Sequence, residues 1–200
     1  MDAVQMLGLK LPTDPRWVNI AEKSIDEILI DHAYCEQKAA TSCISMIVLY
    51  HHHEDIVDGL SPIVSEEWAH FRAVLAEMRK RGIKMKTPRK DEYVNQLLAF
   101  VKKINSTNYN NRLLHQLLLN ALIEARSCER FRLLSLYIDD ENLKKFYYNF
   151  MVSEAGHYTL FMKLAENNYP KSVVRESWQQ FLKVEAEILE NLEYRADRMH

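Results

Sequence analysis

The sequence predicts an all-α fold: a four-helix bundle with one long crossover between its second and third helices, and an additional C-terminal helix. Three observations carry this. Apolar residues recur at helical spacing over long segments. Gly and Pro together number only nine in 200 residues, too few for a protein rich in tight turns. Most of those breakers (Gly59, Pro62, Gly82, Pro88 and Pro170) mark boundaries between the periodic segments.

The elements follow in order. A first helix runs from about Asn19 into the 50s. Ser61 as N-cap and Pro62 in the first turn open a second, which continues to Arg81. A long connection comes next, holding a short helix around DEYVNQLLAFVKKI. The third helix covers roughly Asn110 to Tyr137, a turn falls at Asp139–Asp140, and the fourth helix reaches about Asn167. Pro170 sets off the last helix, SVVRESWQQFLKVEAEILENLEYRAD. Two helical hairpins joined by one long crossover describe a ferritin-like bundle, here a single domain over residues 1–200.

Composition narrows the setting. An apolar share of 48% fits a globular chain, and the longest apolar run, CISMIVLY, is too short to span a bilayer. The start, MDAVQMLGLKLPTDPRW, lacks the basic and apolar regions of a secretion signal. Three cysteines without paired spacing, Cys35, Cys43 and Cys128, suit a reducing, cytoplasmic location with no membrane partner. Net charge is −2, but the segment MRKRGIKMKTPRK holds seven of the 26 basic residues and no acid, leaving 19 basic against 28 acidic residues elsewhere. Such a local positive patch on an acidic body points to RNA or another polyanion. Its residues are Arg79, Lys80, Arg81, Lys84, Lys86, Arg89 and Lys90.

Within the helices, one spacing repeats. Glu154 precedes His157 by three residues, and Glu67 precedes His70 by three, so each pair projects from one face. With 18 glutamates and eight histidines in the chain, about 0.7 such matches arise by chance, so the pairs alone decide little. Their upstream partners decide more. Glu36 lies 31 residues before Glu67, and Glu124 lies 30 before Glu154; both are hairpin lengths. HAYCE ends on Glu36, NALIE ends on Glu124, and an aromatic residue follows each histidine. The halves read as one repeated hairpin.

All four glutamates fall on apolar stripes, Glu36 beside Leu29, Ala40 and Cys43, and Glu154 beside Phe150, Tyr158 and Phe161. Buried carboxylates cost several kcal/mol each unless a cation compensates them. Two metal ions would do so, and two glutamates plus two Glu-x-x-His pairs are the ligand set of di-iron and di-manganese carboxylate bundles. Mixed imidazole and carboxylate donors suit iron, which can change oxidation state and activate oxygen. The competing explanation, surface glutamates and merely packed histidines, requires six residues, two spacings and four apolar faces to coincide. Glu129 is a weaker ligand candidate because Arg126 and Arg132 share its face.

Other residues are expected to support the site or to pack. His32 and Asn120 each precede a ligand glutamate by one turn, placed to hydrogen-bond a carboxylate or imidazole or simply to fill core. Cys128 follows Glu124 by one turn and is read as core or cavity lining. The run His51–His53 sits at a helix end, where imidazolium complements the dipole. Gly156 stands between two ligands in a helix interior, at a cost of roughly 1 kcal/mol against alanine. Two explanations are open: a side chain there would crowd the neighbouring helix or the substrate space, or the helices touch there.

The stretches IDHAYCEQKAA, SEEWAHF, NALIEARSCERF and VSEAGHY resemble the ligand helices of the tRNA 2-methylthio-isopentenyladenosine hydroxylases, over about Leu29 to Leu164. The resemblance implies an oxygen-dependent di-iron monooxygenase with Glu36, Glu67, His70, Glu124, Glu154 and His157 as ligands. It implies hydroxylation of the isopentenyl group on a hypermodified adenosine beside the anticodon. The charge clustering of the basic segment then makes that segment the expected dock for phosphates of the anticodon arm. The resemblance further implies an external electron donor such as a ferredoxin or a flavin reductase. A ferroxidase or a rubrerythrin-like peroxide-reducing protein would share the site without needing the basic segment. A non-enzymatic helical module that binds RNA would share the patch without needing the metal.

Overall fold

The structure, a computed structural model, describes residues 7–14, 16–88, 90–107 and 109–192. Among these residues there are seven α-helices and no strand. They are α1 (Arg16–Glu22), α2 (Ile25–Leu49), α3 (Glu54–Lys80), α4 (Glu92–Thr107), α5 (Arg112–Tyr137), α6 (Glu141–Asn168) and α7 (Lys171–Asn191), with a 3-10 turn at Tyr109–Asn111. None of these helices is long and apolar enough to cross a membrane. The chain forms two compact units: Asn19–Lys90 makes one, and the described residues up to Val18 and from Asp91 onward make the other.

The Asn19–Lys90 unit is a hairpin of α2 on α3. Leu29, Ala33, Ala40, Cys43 and Met46 form the buried stripe of α2, and Ile56, Leu60, Ile63, Val74 and Met78 that of α3, each at the three-to-four residue spacing of an amphipathic helix. The sequence-based boundaries need two corrections here. The first helix is not continuous, because the chain turns at Lys23–Ser24 between α1 and α2. The second begins not at Ser61 but at Glu54, with Pro62 inside it. Pro62 cannot donate to the carbonyl of Asp58, but both residues are exposed, so water can satisfy that oxygen. Acidic Glu54 and Asp55 in the first turn suit the helix dipole instead. At the other end, Gly82 adopts φ +70, and the amide of Ile83 donates to the Met78 carbonyl at 2.9 Å. This left-handed cap is open to glycine at little cost.

In the larger unit, α5 is central and packs against α4, α6 and α7. It is buried on nearly every side, as a helix surrounded by others must be. Phe131 of α5 meets Tyr147 and Phe150 of α6 at ring-centroid distances of 5.6 and 5.5 Å. Asp140 caps α6, accepting from the amides of Asn142 and Leu143 at 2.9 and 3.1 Å. Helices α4 to α6 begin and end within a few residues of the sequence-based boundaries. Helix α7 begins one residue early and is described to Asn191; the expected continuation over residues 193–197 lies outside the described residues.

A charged cluster lies inside this unit. Arg126 is fully buried and donates to Glu185 Oε1 through Nε at 2.8 Å and Nη2 at 2.6 Å, and to Glu129 Oε2 through Nη1 at 2.9 Å. Thr13 donates its amide and its hydroxyl to Glu129 at 2.7 and 2.5 Å, and the Leu11 carbonyl accepts from Arg126 at 3.0 Å. The Tyr93 hydroxyl donates to Glu185 at 3.3 Å, and Arg130 lies 5.0 Å from the ring centre of Trp17. The N-terminal segment, α4 and α7 are thereby tied to α5.

Candidate metal centre

In the α2–α3 hairpin, Glu36, Glu67 and His70 each present a ligand atom within 4.8 Å of the others. Helix geometry brings this about: Glu67 and His70 are one turn apart on α3, and Glu36 projects from the buried stripe of α2. His70 Nδ1 stands 3.3 Å from Glu36 Oε2 and 3.5 Å from Glu67 Oε2. His32, one turn before Glu36, contacts its Oε1 through Nε2 at 2.7 Å. That contact orients the carboxylate.

The α5–α6 hairpin repeats the arrangement. Glu124, Glu154 and His157 offer ligand atoms within 4.8 Å of one another, and His157 Nδ1 lies 3.3 Å from Glu154 Oε2. The trios differ in shielding: the His157 side chain is 3% exposed and that of His70 17%. All four glutamates are buried. Oxygen and imidazole donors gathered in this way fit a divalent transition metal better than they fit each other. Carboxylates at such depth need a cation, and an imidazole supplies charge only while protonated.

The neighbouring residues divide. Asn120 donates its side-chain amide to the Gln116 carbonyl at 3.0 Å. Cys128 is buried beside the Met151 carbonyl, 3.4 Å from its sulfur, and burial together with the charge of Glu154 pushes its thiol up to about 12. Such a thiol is inert rather than nucleophilic. His51 and His52 are exposed in the turn between α2 and α3, where the His51 ring sits 3.1 Å from the Val48 carbonyl. Gly156 is on the exposed side of α6, and a Cβ there would meet nothing within 4 Å. Neither a crowded neighbouring helix nor a close helix–helix contact explains this glycine. Glu129, set aside as a ligand on sequence grounds, is engaged by Arg126 and Thr13.

The basic segment spans the last turn of α3 and the following loop. Arg79, Lys80, Lys84, Lys86 and Lys90 are exposed, and Arg81 is partly so; Arg89 lies outside the described residues. Lys80 and Arg81 pair with Glu77 at 3.3 and 2.8 Å, and Lys86 pairs with Glu27. The positive charge of the loop is therefore partly offset within its own unit. Glu185 escaped notice in the sequence, although its register with Trp178, Phe181, Leu182 and Ile188 places it on the buried face of α7.

Two helical hairpins, each bearing a buried glutamate and a Glu-x-x-His pair, define an all-helical ferritin-like protein of the carboxylate–histidine metal class. A family model described as tRNA-(MS[2]IO[6]A)-hydroxylase (MiaE) matches residues 2–200, and the chain belongs to that family. It is similar to a tRNA 2-(methylsulfanyl)-N(6)-isopentenyladenosine(37) hydroxylase of Pseudomonas putida, 36% identical over 159 residues that cover 80% of this chain and 75% of that protein. A protein of the same name from Salmonella typhimurium is 34% identical over 111 residues, 56% of this chain and 39% of its own length. Among solved structures, Protein 43 with aldehyde deformylating oxygenase activity from Synechococcus superimposes with a TM-score of 0.89 at 34% identity, covering 96% of this chain and 94% of that one.

Proposed function

We propose that this chain is a tRNA hydroxylase that places one oxygen atom on the isopentenyl group of 2-methylthio-isopentenyladenosine beside the anticodon. In this reading the two trios, Glu36, Glu67, His70 and Glu124, Glu154, His157, serve one centre for two iron ions in a single domain. The observation that carries it is the repeated, buried pairing of a glutamate with Glu-x-x-His in both hairpins, in a chain of this family. Bound iron would supply the oxygen activation and one-electron steps that side chains cannot perform. O2 is the co-substrate: one atom enters the alcohol and the other leaves as water, consuming two electrons and two protons. Those electrons come from outside the chain, from a donor such as a ferredoxin or a flavin reductase. The reaction places the protein with tRNA, in the cytoplasm.

The chain's own residues have definable tasks. His32 fixes the orientation of Glu36 through its 2.7 Å contact. His70 and His157 would each ligate through an unprotonated ring nitrogen, since a protonated imidazole nitrogen cannot ligate. Ile63, Val74, Phe150 and Phe161, all buried, keep water away from the carboxylates of their own hairpins. Phosphates of the anticodon arm dock on the basic segment. Arg79 and Lys84 contribute most, because Lys80, Arg81 and Lys86 are already paired with acids.

The test is mass analysis of nucleosides from isopentenylated tRNA after incubation with iron-loaded protein and hydrogen peroxide, which can supply both oxygen and electrons. A gain of one oxygen on the isopentenyl nucleoside, lost in Glu154→Ala, is the expected outcome. Consumption of peroxide with no change in the nucleoside, also when a reductase system and O2 are supplied, would mark a rubrerythrin-like protein instead.

A further inference from the structure

We propose that the exposed face of α3 bearing Trp68, Arg72 and Arg79 is a stacking platform for an unpaired base of the RNA substrate, distinct from the phosphate contacts of the loop that follows. The proposal rests on the tRNA reading and extends it to a residue for which the metal centre has no use. Trp68 is 47% exposed, whereas the chain's two other tryptophans, Trp17 and Trp178, are 1% and 7% exposed. Leaving so large an apolar ring in water in a helix that has a buried stripe to spare is the oddity. Trp68 adjoins the ligand Glu67 in sequence, and its ring packs at 4.9 Å against Phe71, which follows Glu67 by one turn. The aromatic pair thus flanks the ligand-bearing face of α3.

Charge says what covers the ring. Trp68, Arg72, Leu75 and Arg79 recur at spacings of four, three and four residues, one stripe of the helix surface. Arg72 and Arg79 are exposed and Leu75 half-buried. The nearby acids are not on this stripe: Glu67 turns into the core, and Glu66 projects from nearly the opposite side. An aromatic face followed by two guanidiniums along one line, running toward the basic loop, is the composition that holds single-stranded nucleic acid. Bases stack on the ring and phosphates pair with arginine. A duplex, whose bases are already stacked, has no use for the ring.

The tryptophan is also the reporter. With iron-loaded full-length protein, acrylamide should quench mainly Trp68, and an anticodon stem-loop carrying isopentenyladenosine should protect it, while a duplex of equal charge should not. Trp68→Ala should weaken stem-loop binding about tenfold with its salt dependence unchanged, and Trp68→Phe should restore most of it. Arg72→Gln and Arg79→Gln should each lower the salt slope by about one. In turnover, Trp68→Ala should act on KM more than on kcat. Helical circular dichroism and iron content check that each variant is folded. If the wild type hydroxylates tRNA while the stem-loop neither shields Trp68 nor binds Trp68→Ala more weakly, the platform is overturned and the stripe is left for a protein partner such as the electron donor. A wild type that neither binds nor hydroxylates tRNA removes the functional reading itself, and the platform with it.

Discussion

Helix α5 serves two buried polar clusters that contrast. On one face, Glu124 joins Glu154 and His157, two carboxylates and an imidazole. On another, two guanidiniums, Arg126 and Arg130, sit with two carboxylates, Glu129 and Glu185. Both clusters lie deep in the same unit, but the second includes two guanidiniums to set against its two carboxylates. Burial pushes the Arg130 guanidinium down to about 10, and the same desolvation is what the neighbouring carboxylates oppose. Arginine offsets one set of buried glutamates and makes that set structural. The other set is the one that the proposed function gives to a metal ion.

The contrast predicts opposite responses to mutation. Arg126→Met strands two buried carboxylates and should lower stability by about 3–5 kcal/mol in urea unfolding. Adding Glu185→Leu should recover much of that loss. Glu67→Gln, in the metal trio of the other hairpin, should leave the metal-free protein within about 1 kcal/mol of wild type, or stabilise it. The same variant should abolish the gain of about 3 kcal/mol that wild type draws from iron at a hundredfold excess over Kd. Thermal melts with and without iron read both effects. If metal-free Glu67→Gln collapsed as Arg126→Met is expected to, the distinction between structural and metal-holding carboxylates would be lost.

A smaller effect sharpens the structural side. Tyr93→Phe removes the hydrogen bond to Glu185 and should cost about 1 kcal/mol near neutral pH. Burial, reinforced by Glu185, raises the Tyr93 phenol well above its ordinary 10.0. The folded protein therefore holds this proton more tightly than the unfolded chain does. The phenol's contribution is complete below pH 10.0 and is lost as pH rises above that value. Stability measured from pH 8 to 11 should fall more steeply for wild type than for Tyr93→Phe. Smallest of all, Gly156→Ala should stabilise α6 by about 0.5–1 kcal/mol, because the site is exposed and open.

Much of this was legible in the sequence because it depends on local periodicity. Helical spacing places Glu67 with His70 and Glu154 with His157 whatever else the chain does, and the intervals to Glu36 and Glu124 follow from hairpin length. The boundary at Pro62 misled because proline marks helix starts statistically, whereas a solvent-facing proline interrupts a helix at tolerable cost. Gly156 misled because large apolar neighbours in sequence do not fix which side of the helix a residue occupies. The register of Glu185 marks it as buried, but the pairings of Glu185 and Thr13 were beyond reach for a different reason. Their partners lie 59 and 116 positions away, and no local pattern announces an ion pair over such a span.

That span has a consequence for biosynthesis. Arg126 receives Leu11 and Thr13 from the start of the described chain and Glu185 from the last helix, with the whole α2–α3 hairpin threaded between the first of these and α4. A nascent chain cannot neutralise this guanidinium fully until translation has passed Glu185 and α7 has emerged. Until then the apolar faces of α5 lie next to an incompletely compensated charge, and the half-made unit is a natural client for chaperones. The α2–α3 hairpin, whose contacts are near in sequence, can by contrast collapse while synthesis continues. One of the two trios is thereby ready before its counterpart exists.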